Sequence, residues 1–178
     1  MPGPRPQIVL SPPSFALTDD VHMHIVLVEP EIPQNAGSVA RLCAGARAWL
    51  HFVEPTGFIL ADRYLKRAGL DYWPAVRLSV HPSLDALEAM LPRERTWLLT
   101  KRGRTLYREA SLPQGTVFVF GRESAGLPQA FCDRWDDRQL RIPTTSDVRS
   151  LNLANAVGIV AWEALRQLEW AGETPMES

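Results

Sequence analysis

Three polar strings in this sequence carry residues suited to an anionic, nucleotide-like ligand. The first runs Pro33-Gln-Asn35-Ala-Gly37-Ser-Val-Ala-Arg41. Gly37 and Arg41 stand four apart and share a helix face, and Asn35 is placed to cap that helix. The N–H groups and positive end of a helix favour a phosphate, and a guanidinium grips one with a planar fork. The same string reads equally as a capped helix whose arginine covers a carboxylate. The second runs Phe120-Gly121-Arg-Glu123-Ser-Ala-Gly126-Leu127-Pro128. Its glycines admit close backbone approach to a ligand, or simply serve a strand-to-helix turn. The third runs Ile142-Pro143-Thr-Thr-Ser-Asp-Val-Arg149-Ser150-Leu151-Asn152-Leu153, a polar loop before an apolar helix, which Ser150 or Asn152 could cap.

Several common chemistries are missing. There is no G-x-G-x-x-G after the first strand and no G-x-x-x-x-G-K-[ST] phosphate loop. No G-x-S-x-G nucleophile elbow occurs. His22, His24, His51 and His81 lack helical metal spacing, and Cys43 and Cys132 form no C-x-x-C pair, so no metal is expected. His24 and His51 sit in strand-like runs and read as hydrogen-bonded structural residues. Two unpaired cysteines fit a reducing compartment.

The elements that must position the strings follow from periodicity. His24–Glu29 is a short β-rich run. Residues 36–48 carry a helical stripe of Val39, Leu42, Cys43 and Ala46. Further strands are expected at Leu50–Glu54, Arg77–Val80, Thr96–Thr100, Thr116–Phe120 and Gln139–Ile142. Helices are expected near 61–68, from Ser83 to Met90 with Ser83 as N-cap, over Pro128–Arg134, and from Leu153, where Val157, Val160, Ala161, Ala164 and Leu168 keep a 3.6-residue period. About six strands alternating with helices predict an α/β fold, a mostly parallel sheet with helices on both faces. Ligands of such sheets bind beyond the carboxyl ends of the strands, where the three strings and Thr100–Gly103 fall.

Residues 1–22 contain Pro2, Pro4, Pro6, Pro12 and Pro13 and lack the plan of a signal peptide. They predict a disordered leader, or a mis-assigned start with Met23 as the true first residue; one domain over 23–172 and a flexible tail over 173–178 follow. No apolar run reaches the ~20 residues of a membrane span. The formal charge is −1, so any RNA would be held by local patches. The candidates are Arg63, Lys66 and Arg67, and Lys101, Arg102, Arg104 and Arg108, although charge runs are more often solvated faces.

In this order and spacing the three strings resemble the SPOUT class of RNA methyltransferases, with its N-x-G-x-x-x-R, G-x-E-x-x-G-L-P and I-P … S-L-N-L motifs. The sequence is similar above all to the small TrmL (YibK-like) branch, through Glu29-Pro-Glu-Ile-Pro-Gln-Asn35 and Lys66-Arg-Ala-Gly-Leu-Asp-Tyr72-Trp73. The resemblance spans about residues 23–172. It implies a C-terminal trefoil knot whose loops hold S-adenosyl-L-methionine, with Leu99, Gly121, Ile142 and Ser150 as cofactor contacts and Asn152 stabilising the knot or the cofactor's surroundings. It implies a cytoplasmic homodimer with shared sites and 2′-O-methylation of the wobble nucleotide, cytidine or a modified uridine at position 34 of leucine tRNAs. Arg41 is then the catalytic residue, read here as an orienting cation because a guanidinium stays protonated at neutral pH. The tRNA partner would be read at its anticodon loop, where Tyr64, Tyr72 or Trp73 could stack on bases, if they are not buried instead. Other readings are the same chemistry on another tRNA position or ribosomal RNA, and a non-catalytic RNA-binding dimer.

Overall fold

The computed structural model of the chain describes residues 7–9, 15–58, 72–170 and 172. The helix expected near 61–68, the patch of Arg63, Lys66 and Arg67, Tyr64, the side chain of Trp73 and the tail over 173–178 lie outside them.

Among the described residues eight strands form one sheet: β1 (Gln7–Val9), β2 (Met23–Val28), β3 (Ala48–Val53), β4 (Arg77–His81), β5 (Thr96–Leu99), β6 (Thr105–Leu106), β7 (Thr116–Phe120) and β8 (Gln139–Arg141). Their order is β1-β4-β3-β2-β7-β5-β8-β6, and every pairing is parallel. The expected parallel sheet is therefore present, with two strands more than the periodicity shows. The described helices are α1 (Pro33–Gly45), α2 (Leu84–Glu88), α3 (Gln129–Arg134) and α4 (Leu153–Gln167).

Alternation along the strands divides the core. Ile25, Leu27, Leu50, Phe52 and Phe118 pack with Val39, Cys43, Val157 and Ala161, so α1 and α4 cover one face. Val26, Val28, Leu98, Val117 and Val119 pack with Leu87, Phe131 and Cys132, so α2 and α3 cover the other. Burial on both faces is why these strands read as continuous apolar runs.

The sheet departs from simple winding at β8. This strand pairs with β5 on one side and with β6 on the other, yet β5 ends at Leu99 and β6 begins at Thr105. The link between them must cross β8. Gly103 is buried at that crossing, where a Cβ would stand 2.6 Å from the Leu140 carbonyl carbon. Only glycine lets the two backbones approach so closely.

Of the leader, residues 7–9 and 15–22 are among those described. β1 adds to the edge of β4. Phe15 is buried, and its carbonyl accepts from the Arg95 guanidinium at 2.9 Å. Its ring lies against three histidines, at 4.8 Å between centroids for His51 and 5.1 Å for His24. These histidines form a ladder across β2, β3 and β4: His24 Nδ1 to His51 Nε2 at 3.0 Å, and His51 Nδ1 to His81 Nε2 at 3.0 Å. They are hydrogen-bonded structural residues, as the runs around His24 and His51 predict.

Burial holds the ladder neutral. It lowers His24 to about 4, with help from the Arg95 charge, and it lowers His51 and His81 as well. The unfolded chain takes up protons below about pH 6.5 that the folded chain refuses. Stability is thus complete above the unfolded value and falls as pH drops toward the folded one. With His24 and His51 alone counted, urea denaturation at pH 7.5, 6.0 and 5.0 is expected to show a loss of about 2–3 kcal/mol per pH unit below pH 6. A flat profile over that range would contradict the buried ladder.

Candidate functional site

The carboxyl ends of three strands in the middle of the sheet bring the three polar strings together. β2 runs into Glu29–Ile32 and α1, β7 into Gly121–Leu127, and β8 into Ile142–Asn152. Pro33 opens α1, where its missing N–H costs nothing. The expected cap by Asn35 is not made: Ile32 occupies the N-cap position and offers no side-chain acceptor. Glu123 of the second string instead holds the segment leading into the helix, accepting from Glu31 N at 2.9 Å, Ile32 N at 3.2 Å and Asn35 Nδ2 at 3.1 Å. A carboxylate at this helix end also meets the favourable sign of the helix dipole.

The contact is reciprocal. The Glu31 carboxylate accepts from Ser124 N at 2.9 Å and Ser124 Oγ at 2.8 Å, and Glu29 pairs with Arg122. The third string joins through Asn152, whose Nδ2 donates to Asn35 Oδ1 at 2.9 Å. Asn152 Oδ1 caps α4, accepting from Ala154 N at 2.9 Å and Asn155 N at 3.3 Å. The cap of this helix is thus Asn152, one of the two residues the sequence offers, and not Ser150.

The polarity of the chain Glu123–Asn35–Asn152 is fixed from both ends. An ionised carboxylate only accepts, so Asn35 must turn its amide NH2 toward Glu123 and its oxygen toward Asn152. Asn152 must then donate to Asn35 and present its oxygen to the N–H groups of α4. Asn35 is 8% exposed, and a flipped amide there would set like groups against each other at both ends.

Three of the four residues expected to contact a cofactor stand at the ends of neighbouring strands. Gly121 follows β7, Leu99 ends β5 and Ile142 follows β8, and these three strands are adjacent in the order β7-β5-β8. All three residues are half-buried. A Cβ on Gly121 would stand 2.1 Å from the Gly126 carbonyl carbon. That glycine is therefore demanded by the loop folding on itself, through Arg122 N to Gly126 O at 3.2 Å and Gly126 N to Arg122 O at 2.9 Å, with Gly126 at φ +71. Ser150 is exposed, two residues before the cap Asn152.

Arg41 is set apart from this edge. It lies six residues beyond Asn35, about 9 Å along the helix axis. α1 links two parallel strands, so it runs back toward their amino ends. The Arg41 guanidinium lies over the Tyr72 ring at 4.8 Å, and Tyr72 Oη donates to the Gly37 carbonyl at 3.2 Å. Tyr72 is thus engaged within the chain. Among the described residues no group of three or more His, Cys, Asp or Glu could hold a metal ion, and no helix is long and apolar enough to cross a membrane.

Reading residues singly misses Glu123, because its acceptors' partners are 88 and more positions away. The signal lay in its place: an acidic residue in a glycine turn, with a helix start entering the same edge of the sheet.

Comparison with known proteins agrees with this geometry. Residues 22–162 match the model of the SpoU rRNA Methylase family. A tRNA (cytidine(34)-2'-O)-methyltransferase of Saccharophagus degradans is 43% identical over 150 residues, 84% of this chain and 97% of that protein. A solved structure from work on the 2-OH methylation of C/U34 on tRNA is 49% identical, covers 83% of this chain and 96% of its own, and superposes with a TM-score of 0.77. An AdoMet-bound rRNA methyltransferase from Sinorhizobium meliloti is 25% identical over 90% of this chain and 62% of its own, with a TM-score of 0.76.

Glu123→Gln should be costly despite its small change in shape. The new amide must point its NH2 at one of the three donors that the carboxylate accepts, leaving a donor unmet. Urea denaturation is expected to show a loss of about 1–3 kcal/mol; a change below about 0.5 kcal/mol would mean that the three bonds do not hold the site.

Proposed function

We propose that this chain, which belongs to the SpoU rRNA methylase family, transfers a methyl group from S-adenosyl-L-methionine to the 2′-oxygen of the wobble nucleotide of a tRNA. The target is cytidine or a modified uridine at position 34 of leucine tRNAs, and the setting is the cytoplasm. The observation that carries this reading is the meeting of Gly121, Leu99 and Ile142 at three adjacent strand ends, in a chain whose relatives named for that reaction match it over nearly their whole length.

The edge fits the cofactor. Leu99 and Ile142 offer half-buried apolar walls for an adenine, and the backbone of the Gly121 turn offers polar groups. Ser150 closes the arrangement from the loop before α4. When bound, the cofactor supplies a sulfonium methyl with an excellent leaving group, so the protein's task is alignment and proton removal. The threading of β8 between β5 and β6, with Gly103 pressed on Leu140, supports a trefoil knot formed by the chain from β8 onward passing through the β5–β6 region. Such threading is a rare exception to ordinary topology.

Arg41 orients the substrate. Its planar fork suits a phosphate flanking nucleotide 34 and holds the 2′-hydroxyl in line. Its position down α1, away from its own strand ends, supports action in the site of a second copy. The same face bears exposed apolar surface for a homodimer: Ile159 and Trp162 are 36% and 48% exposed, and Trp162 lies 4.0 Å from the point a Cβ of Gly45 would occupy on α1. The RNA enters as an anticodon loop, whose unpaired bases present their edges.

Labelled methyl transfer to leucine tRNA transcripts tests this reading. Transfer is expected with position 34 intact and lost when that nucleotide is 2′-deoxy. Arg41→Ala should lower the rate by about 100-fold or more, as removal of a positioned transition-state donor does. Undiminished transfer to the 2′-deoxy transcript would place the target elsewhere.

A further inference from the structure

The link that crosses β8 carries Lys101, Arg102, Arg104 and Arg108 within eight residues of a chain whose formal charge is −1. All four side chains are exposed, while Gly103 between them is buried and Thr105, Leu106 and Tyr107 are half-buried. The backbone is held at every stage. Thr100 N donates to Leu140 O at 3.0 Å and Thr100 Oγ1 to Gln139 Oε1 at 2.8 Å. Arg141 Nε donates to Gly103 O at 3.2 Å, and Tyr107 N to Arg141 O at 3.1 Å. Thr105 and Leu106 pair with Leu140 and Arg141. The cations therefore stand on a rigid support.

Three of the four cations, Lys101, Arg102 and Arg108, have no ion-pair partner among the described residues. Arg77, Arg93, Arg122, Arg134 and Arg166 each pair with a carboxylate. Arg102 donates to the neutral Gln129 at 3.3 Å, which in turn donates to Asp133 at 2.7 Å, and Lys101 and Arg108 have no carboxylate in ion-pair range among the described residues. Arg104 meets Asp136 at 3.2 Å, but the two side chains are 83% and 60% exposed. A pair so open is worth little and yields readily to a stronger anion.

The position is specific. The strap leaves β5 one residue after Leu99 and returns beside Arg141, one residue before Ile142. We propose that Lys101, Arg102, Arg104 and Arg108 form a preorganised surface for the phosphate backbone of the substrate tRNA, next to the cofactor wall. The inference rests on the methyltransferase reading above and adds the surface that lets a nearly neutral chain hold a polyanion. The phosphates contacted lie outside nucleotide 34, so the surface sets affinity and orientation and carries no base information.

Counterion release gives the test. Each phosphate neutralised adds a fixed increment to the dependence of affinity on salt, about 0.7 for single strands. Equilibrium binding of leucine tRNA to the full chain is measured from low to about 300 mM salt, for wild type and for the triple variant Lys101→Gln, Arg102→Gln, Arg108→Gln. The variant is expected to bind roughly tenfold or more weakly near 150 mM salt, with a log–log salt slope shallower by about two. Its melting temperature and its affinity for S-adenosyl-L-methionine should match wild type. Arg77→Gln, on the far part of the sheet, should leave the slope unchanged. An unchanged slope in the triple variant overturns the proposal, even where wild-type methyl transfer to position 34 stands. A shallower slope upholds it, even where the 2′-deoxy transcript shows that another nucleotide is methylated.

Discussion

The site depends on one acceptor-only group placed where only donors arrive. Glu123 takes three hydrogen bonds from the entry to α1, and its inability to donate sets the orientation of Asn35 and, through it, of Asn152. Asn152 in turn satisfies the first N–H groups of α4. Three loops that leave different strands are thereby keyed to one another by a single line of hydrogen bonds. Because the line is partly buried, a wrong orientation anywhere leaves unmet polar groups at both ends, and the cost of such groups exceeds the gain of any one bond.

That line also explains where the proposed cofactor contacts sit. Gly121 is two residues before Glu123, and Ser150 is two residues before Asn152. Neither need be held by its own side chain, because each is carried by a neighbour that is fixed. The remaining contacts, Leu99 and Ile142, flank the crossing at Gly103, where backbone meets backbone and little can shift. Close packing at one side and a polarised hydrogen-bond line at the other leave this edge of the sheet few ways to deform. A reaction whose leaving group is already activated asks for this kind of alignment above all.

Much of this arrangement was legible in the sequence, and what was hidden was non-local. Thr116–Phe120, the Ser83 cap and the helix from Leu153 could be read because each is signalled by its own few residues. The order of Asn35, Gly121, Glu123 and Asn152 along the chain identified the family's strings. The pairing of Asn35 with Glu123 could not be read, since a carboxamide at a helix start looks like its cap, whereas the helix begins two residues earlier, at Pro33, and places Asn35 inside its first turn. The strands β1 and β6 were missed for a related reason. Three and two residues long, they carry no period, and they are strands only because β4 and β8 offer them an edge. Phe15 was likewise unreadable in a proline-rich leader until three strands placed His24, His51 and His81 beneath it.

The coupling through Asn35 is the claim on which the site stands, and a double-mutant cycle measures it most directly. S-adenosyl-L-methionine affinity is determined by calorimetry for wild type, Asn35→Ala, Asn152→Ala and the double variant, with folding checked by thermal denaturation. If one line of hydrogen bonds sets both loops, each single change weakens binding and the double change is no weaker than the worse single one. Losses that add, or singles that bind as wild type does, would contradict the account.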